Sequence, residues 1–215
     1  MLLGKDLIPE FRTQADDKKK PYLWGDTSVA NWFNEAEREA CIRAKLILDS
    51  DTFSVNAGEL SLDLPALLHH IQYVELIAAD GKRDELSATS RRVLDFEASN
   101  WRNTTERPDR YIHDQSSLTF SALPDADYEV YIEFFRLPAQ DMGLDDEPEI
   151  PLVHQDGLVD WVLFRAFSVP DADGFDPKRS AMAEEEFTKR FGPRPGADMR
   201  RRQQANRPHR NRAHL

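Results

Sequence analysis

The spacing of apolar residues changes twice along this chain, from steps of three and four to steps of two and back again, and those two switches exclude both an all-α and an all-β fold. Across "DTSVANWFNEAEREACIRAKLIL", Val29, Trp32, Phe33, Ala36, Ala40, Ala44 and Ile47 recur at helical spacing. They predict a helix over about 26–48 with one buried face, its start capped by Asp26, Thr27 or Ser28. The period then drops to two. Phe53 and Val55 precede an Asn-Ala-Gly turn and Leu60, Leu62 and Leu64 follow it, which reads as a hairpin. A second hairpin turns at Asp80-Gly81, "ATSRRVLDFEASNW" reads as a short helix across the strands, and two or three further strands end with Tyr128 to Leu137. Helical spacing returns over about 153–168, where Leu158, Val159, Val162, Leu163, Ala166 and Phe167 form a stripe. It continues over 176–191, where Asp176 caps, Pro177 opens the first turn, Glu185–Lys189 and Glu186–Arg190 stand four apart, and Gly192-Pro193 stops the helix. Upstream, Pro9 interrupts a short helical piece in residues 2–15, and "DDKKKPYLWG" reads as a charged connector.

These readings assemble into an α+β fold. A helical bundle from N- and C-terminal helices accompanies a central antiparallel β module over about 51–137, within a body of residues 1–192. The bundle core is expected to include Trp32, Phe33, Trp161, Phe187 and Phe191. Residues 193–215 break the pattern and read as a basic, extended C-terminal tail.

Charge divides the chain at the same place. From Pro193 to Leu215 there are seven arginines and one acid, Asp198, so this segment carries +6 and leaves −17 for residues 1–192 of a chain whose total is −11. A body that acidic repels nucleic acid, whose binding rests on neutralising phosphates with Lys and Arg. The tail uses arginine only, the cation suited to bidentate contacts with carboxylate or phosphate. The single cysteine, Cys41, allows no internal disulfide and fits a reducing compartment. With no apolar run near the roughly 20 residues that span a bilayer and no signal-peptide pattern, the chain reads as soluble and intracellular.

The chemistry-bearing residue types do not converge on a reaction centre. His69-His70 has no HxxxH or CxxC spacing beside it and reads as a turn before the next strand. His113-Asp114 lacks a nucleophile motif, and Cys41 lies mid-helix as a packed small residue. Asp141, Asp145, Asp146, Glu147 and Glu149 lack the ligand order of a calcium loop and read as a solvated loop or a partner-facing patch. "GPRPG" cannot cradle a phosphate, because proline removes backbone donors. The sequence therefore points to no catalytic residue, no metal and no cofactor.

Three stretches, taken in order, carry a resemblance: "YLWGDTSVANWFNEAEREACIRAKLIL", the strand "ADYEVYIEFFRLP", and "IPLVHQDGLVDWVLFRAFSVPDADGFDPKRSAMAEEEFTKRFG". Over roughly residues 20–192 the chain resembles the head-to-tail connector, or adaptor, proteins of tailed bacteriophages. The resemblance implies a structural virion protein at the head-tail junction, assembled in the host cytoplasm. It would form a ring, commonly of twelve copies, beneath the portal protein, contacting tail or nozzle proteins and letting genomic DNA pass through its lumen without specific binding. It implies a C-terminal segment that reaches the portal. Here that assigns portal contact to Arg194, Arg200, Arg201, Arg202, Arg207, Arg210 and Arg212, on a 23-residue segment that spans up to about 75 Å when extended. It also makes the Asp141–Glu149 acids candidates for a channel-facing patch. The competing reading from a different class is a nucleic-acid-binding regulator that uses the arginine tail.

Overall fold

The computed structural model describes residues 1–114, 116–170 and 173–196. The fold is α+β, and the chain divides into two compact units, one built from Met1–Ile47 with Arg136–Arg194 and the other from Leu48–Phe135.

In the first unit a π-helical turn, Leu3–Leu7, leads into α1, Ile8–Ala15. Pro9 occupies the first turn of α1, where its missing N–H is not needed, so it opens the α-helix rather than interrupting one. The second helix, α2, spans Asp26–Ala44. No side chain caps its start: Gly25 is the N-cap, and Asp26 instead accepts a hydrogen bond from Arg12 at 2.6 Å. Lys45 ends α2 in the left-handed region at φ 54°, and Ile47 opens a strand instead of closing the helical stripe. Val29, Phe33, Ala36 and Ala40 are buried, whereas Trp32 is only partly buried against the same core. Trp24, in the segment read as a connector, is buried in this core, with its ring edge-on to Phe11 at 5.8 Å and to Phe167 at 5.7 Å.

The stretch expected as one helix over 153–168 is two, α4 at Leu152–Gln155 and α5 at Leu158–Ser168. Between them Gly157 faces the last helix so closely that a Cβ would lie 2.9 Å from Arg190 Cδ and 3.0 Å from the Phe191 ring. That helix, α6, spans Pro177–Phe191; Asp176 accepts from the amides of Lys178 and Arg179 at 3.0 Å, and Gly192 ends it at φ 88°. Trp161 stands 4.9 Å from Phe187, which stands 4.6 Å from Phe191, so α5 and α6 share an aromatic seam with Phe33 in the same core.

The second unit holds two four-stranded sheets around one core. Its strands are β1 Ile47–Val55, β2 Ser61–Asp63, β3 Leu68–Ala78, β4 Arg83–Glu85, β5 Ser87–Ala88, β6 Arg110–His113, β7 Ser117–Phe120 and β8 Tyr128–Arg136. One sheet runs β1-β8-β3-β4 and the other β2-β7-β6-β5. The Asp80-Gly81 turn joins β3 to β4 antiparallel, with Leu76 opposite Asp84, as its sequence predicts. The expected β1–β2 hairpin does not form. Gly58, at φ 82°, hands the chain from one sheet to the other, its amide bonding Pro124 O at 2.9 Å, and β2 pairs with β7. Alternation tells only that each strand has one buried face, and in a sandwich either sheet satisfies it. Nor is the module wholly antiparallel, since β5 runs parallel to β6. Val55, Val74, Leu76, Val130 and Ile132 from one sheet meet Tyr111, Leu118 and Phe120 from the other. The short helix α3, Arg91–Glu97, lies beside a smaller cluster of Leu94, Trp101 and Ile112.

Candidate functional site

In the first unit α2, α5 and α6 converge on one arginine. Arg43, in the last turn of α2, has a side chain 1% exposed, with its guanidinium 5.3 Å from the Trp161 ring centroid and 5.0 Å from that of Phe187. It donates to Glu39 Oε1 at 2.9 Å, to Thr188 Oγ1 at 3.0 Å and to the carbonyl of Gly192 at 3.2 Å. A cation is well placed against that carbonyl, the negative pole of α6. Arg43 thus ties α2 to the point where the tail begins.

Arg194 adds a second guanidinium. Its Nε donates to the same Glu39 oxygen at 2.8 Å, and it lies 5.5 Å from the Trp161 ring centroid. Burial works against ionisation of Glu39, but the hydrogen bonds from Arg194 and Arg43 outweigh it and hold the carboxyl below the usual range. Beside this pair a groove of about 380 Å³ lies between α5 and α6, its apolar lining including Trp161, Phe164, Phe175 and Ala181 and its polar lining Ser168, Ser180, Glu184 and Arg194. Of the arginines expected to contact a portal, Arg194 is placed here, and Arg200, Arg201, Arg202, Arg207, Arg210 and Arg212 lie outside the described residues.

The acidic loop is put to structural use. Asp141 pairs with Arg38 at 2.5 Å, Asp146 accepts from Gly143 N at 2.7 Å, Glu147 stands 3.8 Å from the α-ammonium of Met1, and Glu149 pairs with Arg136 at 2.6 Å. Asp145 is exposed. The loop is also stitched to the N-terminal turn, Leu3 N to Asp146 O at 3.0 Å and Gly4 N to Leu144 O at 2.8 Å.

Three polar residues that periodicity did not single out hold the loop from inside. Asn34 of α2 bonds both backbone groups of Met142, accepting from N at 2.7 Å and donating to O at 3.3 Å. Glu37, 1% exposed, accepts from Ile150 N at 3.2 Å, and burial raises its carboxyl above the usual range. Gln155 donates to Pro148 O at 3.1 Å and Ile150 O at 3.0 Å. A fourth, Arg12, lies on the apolar stripe of α1; it pairs with buried Asp17 and donates to Trp24 O at 2.9 Å, with its guanidinium 3.7 Å from the Tyr22 ring centroid. The supposed connector is thereby wrapped around a buried ion pair. The available signal was positional: Arg12 falls four residues after Ile8, and Asn34 and Glu37 stand three apart beside Phe33.

The remaining candidates stay apart. His69 and His70 lie within β3 rather than in a turn, and His70 stacks on Phe135 at 6.4 Å. His113 is buried in β6, and burial lowers its pKa, while Asp114 pairs with Arg91 at 2.5 Å. Burial, with Glu37 and Glu149 nearby, pushes the Cys41 thiol up to about 12, where it is protonated and unreactive at neutral pH. Among the described residues no group of three or more His, Cys, Asp or Glu is placed to hold a metal ion, and no helix is long and apolar enough to cross a membrane.

The fold is α+β, with α2, α5 and α6 meeting around Arg43 and Arg194. The model of the SU10 adaptor protein family matches residues 4–212, and the chain belongs to that family. A solved structure titled "Neck of empty GTA particle computed with C6 symmetry" is similar at 16% identity and a TM-score of 0.25, covering 91% of this chain and 96% of that one. No curated protein matches.

Proposed function

We propose that this chain is a non-enzymatic structural neck protein that forms a ring, of twelve copies, beneath the portal, joins the DNA-filled head to the tail or nozzle proteins, and extends the DNA channel. Membership of the adaptor family over residues 4–212 carries this reading. Charge supports it: a body of net −17 repels DNA, and a lumen lined by acidic surface lets a genome slide. The helices around Arg43 form the ring body in this reading, and the arginines beyond Gly196 anchor the tail on acidic portal surface, each weak contact strengthened by the number of copies. In this reading the loop Asp141–Glu149, whose Asp141 and Glu147 side chains stay 69% and 63% exposed while paired, remains a candidate channel-facing or partner-facing patch.

The test is electron microscopy of purified portal rings mixed with the full-length protein or with protein ended at Gly196, a cut that keeps the Arg194–Glu39 pair. Stacked rings that require the tail are expected. Rings that stack equally well without it remove the anchor role, and no stacking with either protein overturns the neck reading.

A further inference from the structure

The groove between α5 and α6 already holds a guanidinium at one end. Arg194 lies there over Trp161, held by Glu39, whose carboxylate is now bonded twice through one oxygen. The groove offers the flat faces and short side chains of Trp161, Phe164, Phe175 and Ala181, with Phe175 51% exposed although it borders an apolar wall. Glu184 is the carboxylate in the groove's lining, its side chain 43% exposed, with Arg43 3.7 Å away and Thr188 Oγ1 at 3.4 Å. It can take another cation. The groove therefore asks for a short apolar side chain beside an arginine.

The chain supplies that pattern three residues further on, in "ADMRRR", Ala197 to Arg202. Ala197 and Met199 match the apolar wall, and a thioether against aromatic rings is a favourable contact. Arg200 to Arg202 match the carboxylate of Glu184. Reach favours the chain's own tail: eight residues from Arg194 to Arg202 span up to about 28 Å when extended, and a tethered segment meets its site at millimolar effective concentration. We propose that the α5–α6 groove holds residues 197–202 of the same chain.

A tail held there is withheld from any other acidic surface until that surface outcompetes the groove, yet the docking does not depend on the portal reading. Exposed ion pairs add little on their own, so the apolar wall supplies what fixes the segment in one place.

A fluorescent peptide of residues 197–215 is titrated, at about 50 mM salt, where screening is weak, into protein ended at Gly196, into the same protein carrying Ala181→Trp or Phe175→Ala, and into the full-length chain. Ala181 is exposed on α6 and Phe175 is half-exposed, so both substitutions leave the core intact, which thermal melting checks. The expected result is binding by the shortened protein, at least tenfold weaker binding by both variants, and at least tenfold weaker binding by a full-length protein that light scattering shows to be monomeric. Absence of binding overturns the proposal. Undiminished binding by the variants, whose charge is unchanged, also overturns it, because the attraction is then general. Exclusion of the peptide only in an oligomeric full-length protein assigns the groove to a neighbouring copy and overturns the same-chain docking. Failure of portal stacking alongside the expected titration leaves this docking standing and removes only the neck reading.

Discussion

Glu37 and Glu39 stand two residues apart on α2 and respond to pH in opposite senses, because one faces the interior and the other faces two guanidinium groups. Burial raises the Glu37 carboxyl, so its contribution to stability is present below its unfolded value, near 4.5, and is lost as pH rises through the folded value. Arg194 and Arg43 overcome the burial of Glu39 and lower its carboxyl, so its contribution is present above that value and lost as pH falls. Urea denaturation across about pH 3 to 8 should separate them: Glu37→Gln gains stability relative to the parent as pH rises, and Glu39→Gln loses it. Parallel profiles for the parent and both variants would refute the assignment. Aromatic residues divide in the same way. Trp161, 1% exposed and touching Phe164, Phe187 and Arg43, should cost about 3–5 kcal/mol on conversion to Ala. Trp32, partly buried, should cost less than half of that. Thermal and urea melting compare the two, and equal losses would mean that the α2 face is assigned wrongly.

At the scale of elements, glycine positions report how closely segments approach. Gly174, before α6, lies so near Trp24 that a Cβ would stand 2.4 Å from Cζ2 and 2.8 Å from Cη2. Gly174→Ala should overpack that contact and destabilise by about 1–3 kcal/mol, whereas Gly25→Ala, with nothing within 4 Å, should change stability by only about 0.5 kcal/mol through the helix start. Equal melting temperatures for the two variants would contradict the close packing of the turn on Trp24. The elements that the sequence made legible are those with a local cause. Asp176-Pro177 and Gly192 bracket α6, Asp80-Gly81 closes β3 on β4, and the aromatic and β-branched run of β8 makes a strand that buries Tyr128, Val130, Ile132 and Phe134. What stayed hidden depends on partners distant in sequence. The β1-to-β2 turn could not announce a change of sheet, and Arg190, expected to pair with Glu186 along α6, reaches instead to Asp156 at 3.0 Å and Asp160 at 3.1 Å across the seam. The Arg12–Asp17 pair was invisible for the same reason, since its meaning lies in Trp24 and Tyr22 closing over it. At the groove, the tail's arginines were legible as charge, while the Glu39 and Trp161 that receive Arg194 were not.

For the whole molecule, charge placement sets what it can bind. Six arginines follow Gly196, so if all six met phosphates, the logarithm of DNA affinity would fall with the logarithm of salt by at most about five. A free tail peptide is expected to approach that slope. The intact chain is not, for two reasons that act together: the −17 body repels the same phosphates, and the groove beside Arg194 competes for residues 197–202. Fluorescence anisotropy with a short DNA duplex should therefore show at least tenfold weaker binding by the full-length protein than by the isolated 197–215 peptide at about 50 mM salt, and none by protein ended at Gly196. Ala181→Trp in the full-length chain should recover part of the lost affinity by emptying the groove while leaving the body's repulsion in place. Full-length protein that matches the free peptide would favour the regulator that binds nucleic acid through its tail. Weak binding that Ala181→Trp leaves unchanged would assign the whole suppression to the acidic body.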